Sequence, residues 1–319
     1  MEENFVKLIK RISEDYEDNK YMNYIKYIQF PKYKNLTDGS RIEFNFPLTM
    51  LVGKNGTGKS SVLQAIYGCP QNKSTGDYWF STDVDPIEDG KNKYFYGYQK
   101  NSETGIKEVI KKRQNSAKSP DYWETDALDV KVGMKPDYNL DKETRNNPVE
   151  KNVVYFDFRG ELSAFDKYFH FYKTKTDHKV RMFEQKNKES KEYVKKQSKL
   201  LNRALKGEKV AYFNHPENIL HDDLEVIDMK NGREKIEAIN FILGKEYIEI
   251  RRIYHRIYQS WGNSVLLQTK NGLQYSEANA GSGENAIINM VCAIMDAKRD
   301  SLILLDEPEV SLHPSVLAH

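Results

Sequence analysis

At 319 residues, 39% hydrophobic and 30% charged, the chain can bury a sizeable core and has the balance of a globular protein, not of a disordered or membrane-embedded one. Its apolar runs, such as Leu302–Leu305, fall far short of the roughly 20 residues a bilayer span needs, and a start with Glu2 and Glu3 carries no apolar signal core, so a cytoplasmic protein without membrane contact is expected. The net charge of +2 excludes little, but it is uneven: 12 Lys/Arg against 4 Asp/Glu between Lys173 and Lys206 give +8 there and leave −6 elsewhere.

In chain order, Phe5, Leu8, Ile9 and Ile12 have helical spacing and predict a helix over 4–18. Tyr24–Phe30 and Arg41–Phe46 alternate as strands around a polar turn at Asp38-Gly39. Leu48–Val52 is a short apolar strand, followed by a glycine-rich stretch and then by Ser61–Tyr67 with helical spacing. Residues 70–150 read as loops and short antiparallel strands, with one strand at Lys93–Gln99. Val153–Phe158 is a buried strand, 160–208 is helical and charged, and 209–234 has loop composition. Ile236–Leu243 and Tyr247–Ile257 are a helix and a strand; Val265–Thr269 and Leu273–Tyr275 flank Asn271-Gly272, a strong hairpin signal. Gly283–Ala297 is a helix and Ser301–Leu305 a last buried strand. Cys69 and Cys292, far apart, read as reduced buried thiols.

The octet Gly53-Lys54-Asn55-Gly56-Thr57-Gly58-Lys59-Ser60 matches G-x-x-x-x-G-K-[ST] in full, in a strand–loop–helix setting. The glycines let the backbone turn its N–H groups around phosphates. The helix that follows adds the positive end of its dipole to the same anion. Lys59 can reach the β- and γ-phosphates and the Ser60 hydroxyl can ligate Mg²⁺. Gly53 through Ser60, with Ser61 behind them, are therefore the candidate ATP-binding residues, and Lys59 is also a candidate catalytic residue.

Leu302-Ile303-Leu304-Leu305-Asp306-Glu307 is an apolar strand ending in two acids. A strand of this kind delivers Asp306 to the carboxyl edge of a sheet, where open α/β folds bind ligands. One acid, Asp306, suffices to hold Mg²⁺; its neighbour Glu307 can polarise an attacking water as general base.

Asp306-Glu307-Pro308-Glu309-Val310-Ser311-Leu312-His313-Pro314 resembles the extended Walker B and D-loop of ABC-type P-loop ATPases, above all the SMC/RecF and OLD-like group. Ala280-Gly281-Ser282-Gly283-Glu284, opening a helix, resembles the ABC signature, with a departure: Gly281 stands where the family has its serine, and Ser282 replaces the first glycine. Backbone donation survives the exchange, and Ser282 is a candidate substitute for the hydroxyl contact. The resemblance implies an α/β fold: an ABC-type ATPase head with an antiparallel β subdomain and a helical insertion. It further implies ATP and Mg²⁺ as cofactors. The heads would form a homodimer sandwiching ATP, with Gly281, Ser282, Gly283 and Glu284 on the partner's nucleotide and Ser311–His313 crossing the interface. It also implies a glutamine touching the metal, for which Gln99 is the candidate. The expected division is 1–159, the N-terminal part of the head; 160–235, a basic helical lid; and 236–319, the C-terminal part. Because family members continue past the D-loop to a γ-phosphate-sensing histidine, a chain stopping at His319 reads as a fragment.

The implied function is ATP binding and hydrolysis that drives a nucleic-acid-directed process, either prokaryotic anti-phage defence (Septu-, PARIS- or retron-associated types) or repair. DNA or RNA and an effector nuclease are candidate partners, the basic segment Lys173–Lys206 offering charge to nucleic-acid phosphates. The alternative is a regulatory clamp that binds ATP with slow or absent hydrolysis. A P-loop kinase or a transporter subunit fits less well, given the signature, the Ser-Leu-His-Pro wording and the large insertion.

Overall fold

The structure is a computed structural model that describes residues 2–100, 105–116, 119–135, 140, 144–168, 181–210, 224–258 and 261–308. It divides into two compact units: Met1–Tyr155 with Ala297–Asp306, and Phe156–Asp296 with the residues from Glu307 on. Residues 160–235, read as a lid in the sequence, share the second unit with residues 236–296.

In the first unit, helix α1 (Glu2–Glu17) precedes strands β1 (Tyr24–Lys32) and β2 (Ser40–Glu43), and α2 (Lys59–Tyr67) precedes β3 (Lys93–Gln99), β4 (Ile106–Ser116) and β5 (Ser119–Thr125). These strands form one antiparallel sheet in the order β2-β1-β3-β4-β5. Val62, Ala65 and Ile66 of α2, spaced as one helical stripe, bury against Ile28, Tyr94 and Tyr96 of the sheet. Strand β6 (Val153–Asp157) pairs with β11 (Leu302–Asp306), and the Leu302 N–H donates to the Asn152 carbonyl at 2.8 Å. Leu304 of β11 sits in the same core, with Tyr155 packed against it.

The segment Leu48–Val52 is not a strand. Only Leu51 packs against the core, while Leu48, Met50 and Val52 are 69%, 82% and 81% exposed. A strand exists only when a neighbour takes up its N–H and C=O groups, and among the described residues nothing pairs with this run.

The second unit is three-layered. After a one-turn helix α3 (Ala164–Asp166) come α4 (Arg181–Leu205), β7 (Leu224–Asp228), α5 (Arg233–Leu243), β8 (Tyr247–His255), β9 (Gly262–Thr269), β10 (Gln274–Ser276) and α6 (Ser282–Met295). The antiparallel sheet β10-β9-β8-β7 turns Leu224, Ile253 and Leu266 towards Leu201, Ala204 and Leu205 of α4. Its opposite face carries Ile227 and Ile250, register partners, on the side where Lys235 of α5 bridges Glu225 of β7 and Asp296 just after α6 at 2.6 Å each. The Asn271-Gly272 turn joins β9 and β10 as read from the sequence, with Gly272 at φ +85°. β7 lies within the run read as loop. Both cysteines are free and buried. Among the described residues no helix is long and apolar enough to cross a membrane.

Candidate functional site

The glycine-rich loop gets its shape from backbone handedness. Gly56 and Gly58 take φ +80° and +92°, a region side chains rarely adopt. Gly58 is the N-cap of α2 and no side chain caps that helix, so the amides of its first turn keep free donors for an anion. Leu36 packs so closely that a Cβ on Gly58 would meet its Cδ2 at 2.3 Å. Asn35 steadies the loop by donating to the Gly56 carbonyl at 3.2 Å, and Thr57 Oγ1 donates to the Lys54 carbonyl at 2.8 Å. The Lys59 ammonium lies over the loop on the carbonyls of Gly53 and Lys54, at 2.9 and 3.2 Å.

Ser60 Oγ donates to Asp306 Oδ1 at 2.9 Å, joining residues 246 apart in the chain. Asp306 ends β11 and is 2% exposed. Its other oxygen, Oδ2, accepts from the Tyr155 hydroxyl at 2.9 Å, a partner that sequence reading missed because only the pairing of β6 with β11 brings it there. Gln99 is not brought to this pair. It is in register with Tyr24 at the start of β1, whereas the loop is met by Asn35 and Leu36, beyond the other end of that strand. Nine strand residues at about 3.3 Å each separate the two ends by some 25 Å. The expectation for Gln99 as a metal contact is corrected accordingly: its strand was read rightly, but its end of the sheet requires the register.

In the second unit, Glu307 has a left-handed backbone, φ +52°, uncommon for a non-glycine and found where surroundings enforce it. Arg159 Nε lies 3.6 Å from its carboxylate and also holds Asp157 through two 2.9 Å hydrogen bonds. The loop before α6 differs from the first. Gly281, the N-cap, is extended at φ −67° and ψ 149°, again with no side-chain cap, and Gly283 is buried in the first turn. Glu284 accepts from the hydroxyls of Tyr247 and Tyr275, the latter at 2.6 Å. Burial and then this bond raise the phenol pKa of Tyr247, and of Tyr275 likewise.

Just upstream lies a buried polar chain absent from the sequence reading: the Ile257 N–H donates to His255 Nδ1, His255 Nε2 meets Ser264 Oγ at 2.8 Å, and Ser264 donates to Glu277 Oε1 at 2.5 Å. Burial lowers the His255 pKa to about 4 and raises that of Glu277 to about 7. Asn285 and the Asn289 side-chain oxygen are buried among the described residues without a hydrogen-bond partner.

Ser311–His313, His215, His221-Asp222-Asp223 and residues 173–180 of the basic segment lie outside the described residues. Further along that segment, Lys191, Lys195, Lys196, Lys199 and Arg203 are exposed, while Tyr193, Leu201 and Leu205 pack inwards.

Residues 48–319 match the family described as "AAA domain, putative AbiEii toxin, Type IV TA system". The match covers most of the chain, which therefore belongs to this family of P-loop ATPase domains. No curated protein matches the sequence.

Proposed function

Starting from membership of that nucleotide-binding family, we propose that this chain binds ATP with Mg²⁺ on the Gly53–Ser60 loop and Asp306 and hydrolyses it, in the manner of the SMC/RecF and OLD-like ATPases. The observation that carries the proposal is the 2.9 Å bond between Ser60 Oγ and Asp306 Oδ1. A hydroxyl and a carboxylate are the hard oxygen donors Mg²⁺ prefers, and this ion is usually held by one or two carboxylates plus substrate phosphates rather than by a protein cage. Ser60 and Asp306 would hold the ion, which supplies charge neutralisation at the phosphates.

The chain's own residues do the rest. The uncapped amides at the start of α2 cradle the phosphate chain. Lys59 exchanges the carbonyls of Gly53 and Lys54 for phosphate oxygens. Glu307, next to Asp306 in sequence, takes the proton of the attacking water. The loop Gly281–Glu284 serves a second copy's nucleotide, giving an ATP-sandwiched homodimer. The exposed lysines of α4 support nucleic-acid contact, and the family's description as a putative toxin of a type IV system supports a defence setting with a partner effector.

The test is ATP turnover of the chain and of Glu307→Gln, with sedimentation in the presence and absence of ATP. Turnover in the parent with an ATP-trapped dimer in the variant is expected. The second reading, a regulatory clamp, draws on the ion pair that occupies Glu307; a monomer that binds ATP without turnover in either form would establish it instead.

A further inference from the structure

We infer that Tyr155 is a positioning residue for the cation end of this nucleotide site, its hydroxyl fixing Asp306 in the orientation that presents the other carboxylate oxygen to Ser60. The inference rests on reading Ser60 and Asp306 as the cation-holding pair.

A buried carboxylate needs hydrogen-bond partners, and those of Asp306 include Ser60 on Oδ1 and Tyr155 on Oδ2, both at 2.9 Å. The two partners are not equivalent. A cation held by Ser60 and Asp306 would draw on lone pairs of Ser60 Oγ and of the carboxylate oxygen facing it, so the contact between these two is the one its arrival would rearrange. The Tyr155 bond lies on the opposite oxygen and survives. It then helps to keep the carboxylate from rotating, and it does so as a hydroxyl donor to a charged acceptor, the stronger class of hydrogen bond. Partners of this kind set the orientation of metal-holding groups, and their removal commonly costs 10- to 100-fold in metal affinity.

Tyr155 is itself held. Its ring packs against Tyr78 at 4.7 Å between centroids and edge-on against Tyr67 at 5.7 Å. Tyr67 is the last residue of α2, and its hydroxyl donates to Asp77 at 3.0 Å. One end of the helix that begins at Lys59 thus carries Ser60, which meets Asp306 directly, while the other end braces the tyrosine that meets it from behind. Packing alone would be served by phenylalanine; the hydroxyl is what reaches the acid.

The test titrates Mg²⁺ against the binding of a fluorescent ATP analogue for the chain and for Tyr155→Phe, with the same affinity measured in EDTA and Asp306→Asn run alongside. In Tyr155→Phe the Mg²⁺ concentration for half-maximal enhancement should rise tenfold or more while affinity in EDTA stays unchanged. An unchanged Mg²⁺ requirement, or an equal loss with and without Mg²⁺, overturns the inference, the second outcome marking a merely structural tyrosine. If Asp306→Asn leaves the Mg²⁺ requirement intact, the underlying reading of the cation pair fails, and the role of Tyr155 with it.

Discussion

Gly53–Ser60 in the first unit and Ala280–Glu284 in the second both deliver a helix N-terminus that no side chain caps, yet they are built differently. The first loop is wound left-handed at Gly56 and Gly58, is packed on by Leu36, has a lysine folded over it and ends in a hydroxyl bound to an acid. The second is extended at its cap, stands open around Gly281, and turns its own acid, Glu284, inwards onto two tyrosines. Similar composition therefore yields a self-contained polar site in one place and little more than exposed backbone donors in the other. What separates them is backbone handedness and the direction of the nearest carboxylate.

The largest expected effect tests that handedness directly. Alanine at Gly58 must adopt φ +92° and displace the end of Leu36, a strain of about 1–3 kcal/mol; affinity for a fluorescent ATP analogue should fall at least tenfold. Alanine at Gly281 keeps an ordinary extended backbone with nothing within 4 Å, so stability should change by less than about 0.5 kcal/mol. Urea unfolding of both variants decides it. Equal costs would erase the distinction between the two loops.

Much of the first loop was legible because its chemistry is local: the octet, the helix after it and the acid-ended strand can all be read residue by residue. What was not legible is non-local. Leu48–Val52 and Leu302–Leu305 look alike as apolar runs, but among the described residues only the second finds a strand partner, and an apolar pattern does not say whether a neighbour exists. Residues 106–116 fall within the 70–150 run whose composition suggests loops and short strands, yet they form the 11-residue β4. In β4, Glu108 is nonetheless buried, accepting from Tyr27 and the Lys135 N–H, and Arg113 is buried on Asp89 and Asp121. Buried charge is tolerated when paired, and those pairings span up to 81 residues. Tyr155 and the His255–Ser264–Glu277 chain escaped notice for the same reason, while Gln99 was assigned by type and strand end without the register that sets its end of the sheet.

A second prediction sharpens the contrast through pH, because Glu277 anchors the chain four residues before Gly281. His255 is held neutral, its pKa lowered from 6.5 to about 4 by burial. Between those values the unfolded chain binds more protons, so this group makes stability rise with pH. Glu277 is raised from 4.5 to about 7, burial being the main cause. Between those values the folded chain binds more protons, and stability falls as pH rises. Over the shared window the two slopes oppose each other. Glu277→Gln deletes the falling one. The stability difference between variant and parent should therefore shift by about 2 kcal/mol in the variant's favour from pH 4.5 to 6.5, at up to roughly 1.4 kcal/mol per unit and proton. Denaturant titrations at pH 4.5, 5.5 and 6.5 measure it; a constant difference would show that the buried chain does not titrate this way.

The smallest expected effect concerns Glu284, the acid in the first turn of α6. If its task is to fasten that helix to β8 and β10 through Tyr247 and Tyr275, then Glu284→Gln keeps an acceptor but loses the charge assistance of two hydroxyl bonds. The cost should be about 1 kcal/mol in unfolding free energy, with no change in ATP affinity at the first loop. The two quantities separate cleanly because the fastening is internal to the second unit. The reverse pattern, intact stability with a tenfold loss of nucleotide affinity, would mean that the second loop reaches nucleotide through its carboxylate, and its apparent bareness would then reflect only how Glu284 is turned in this conformation.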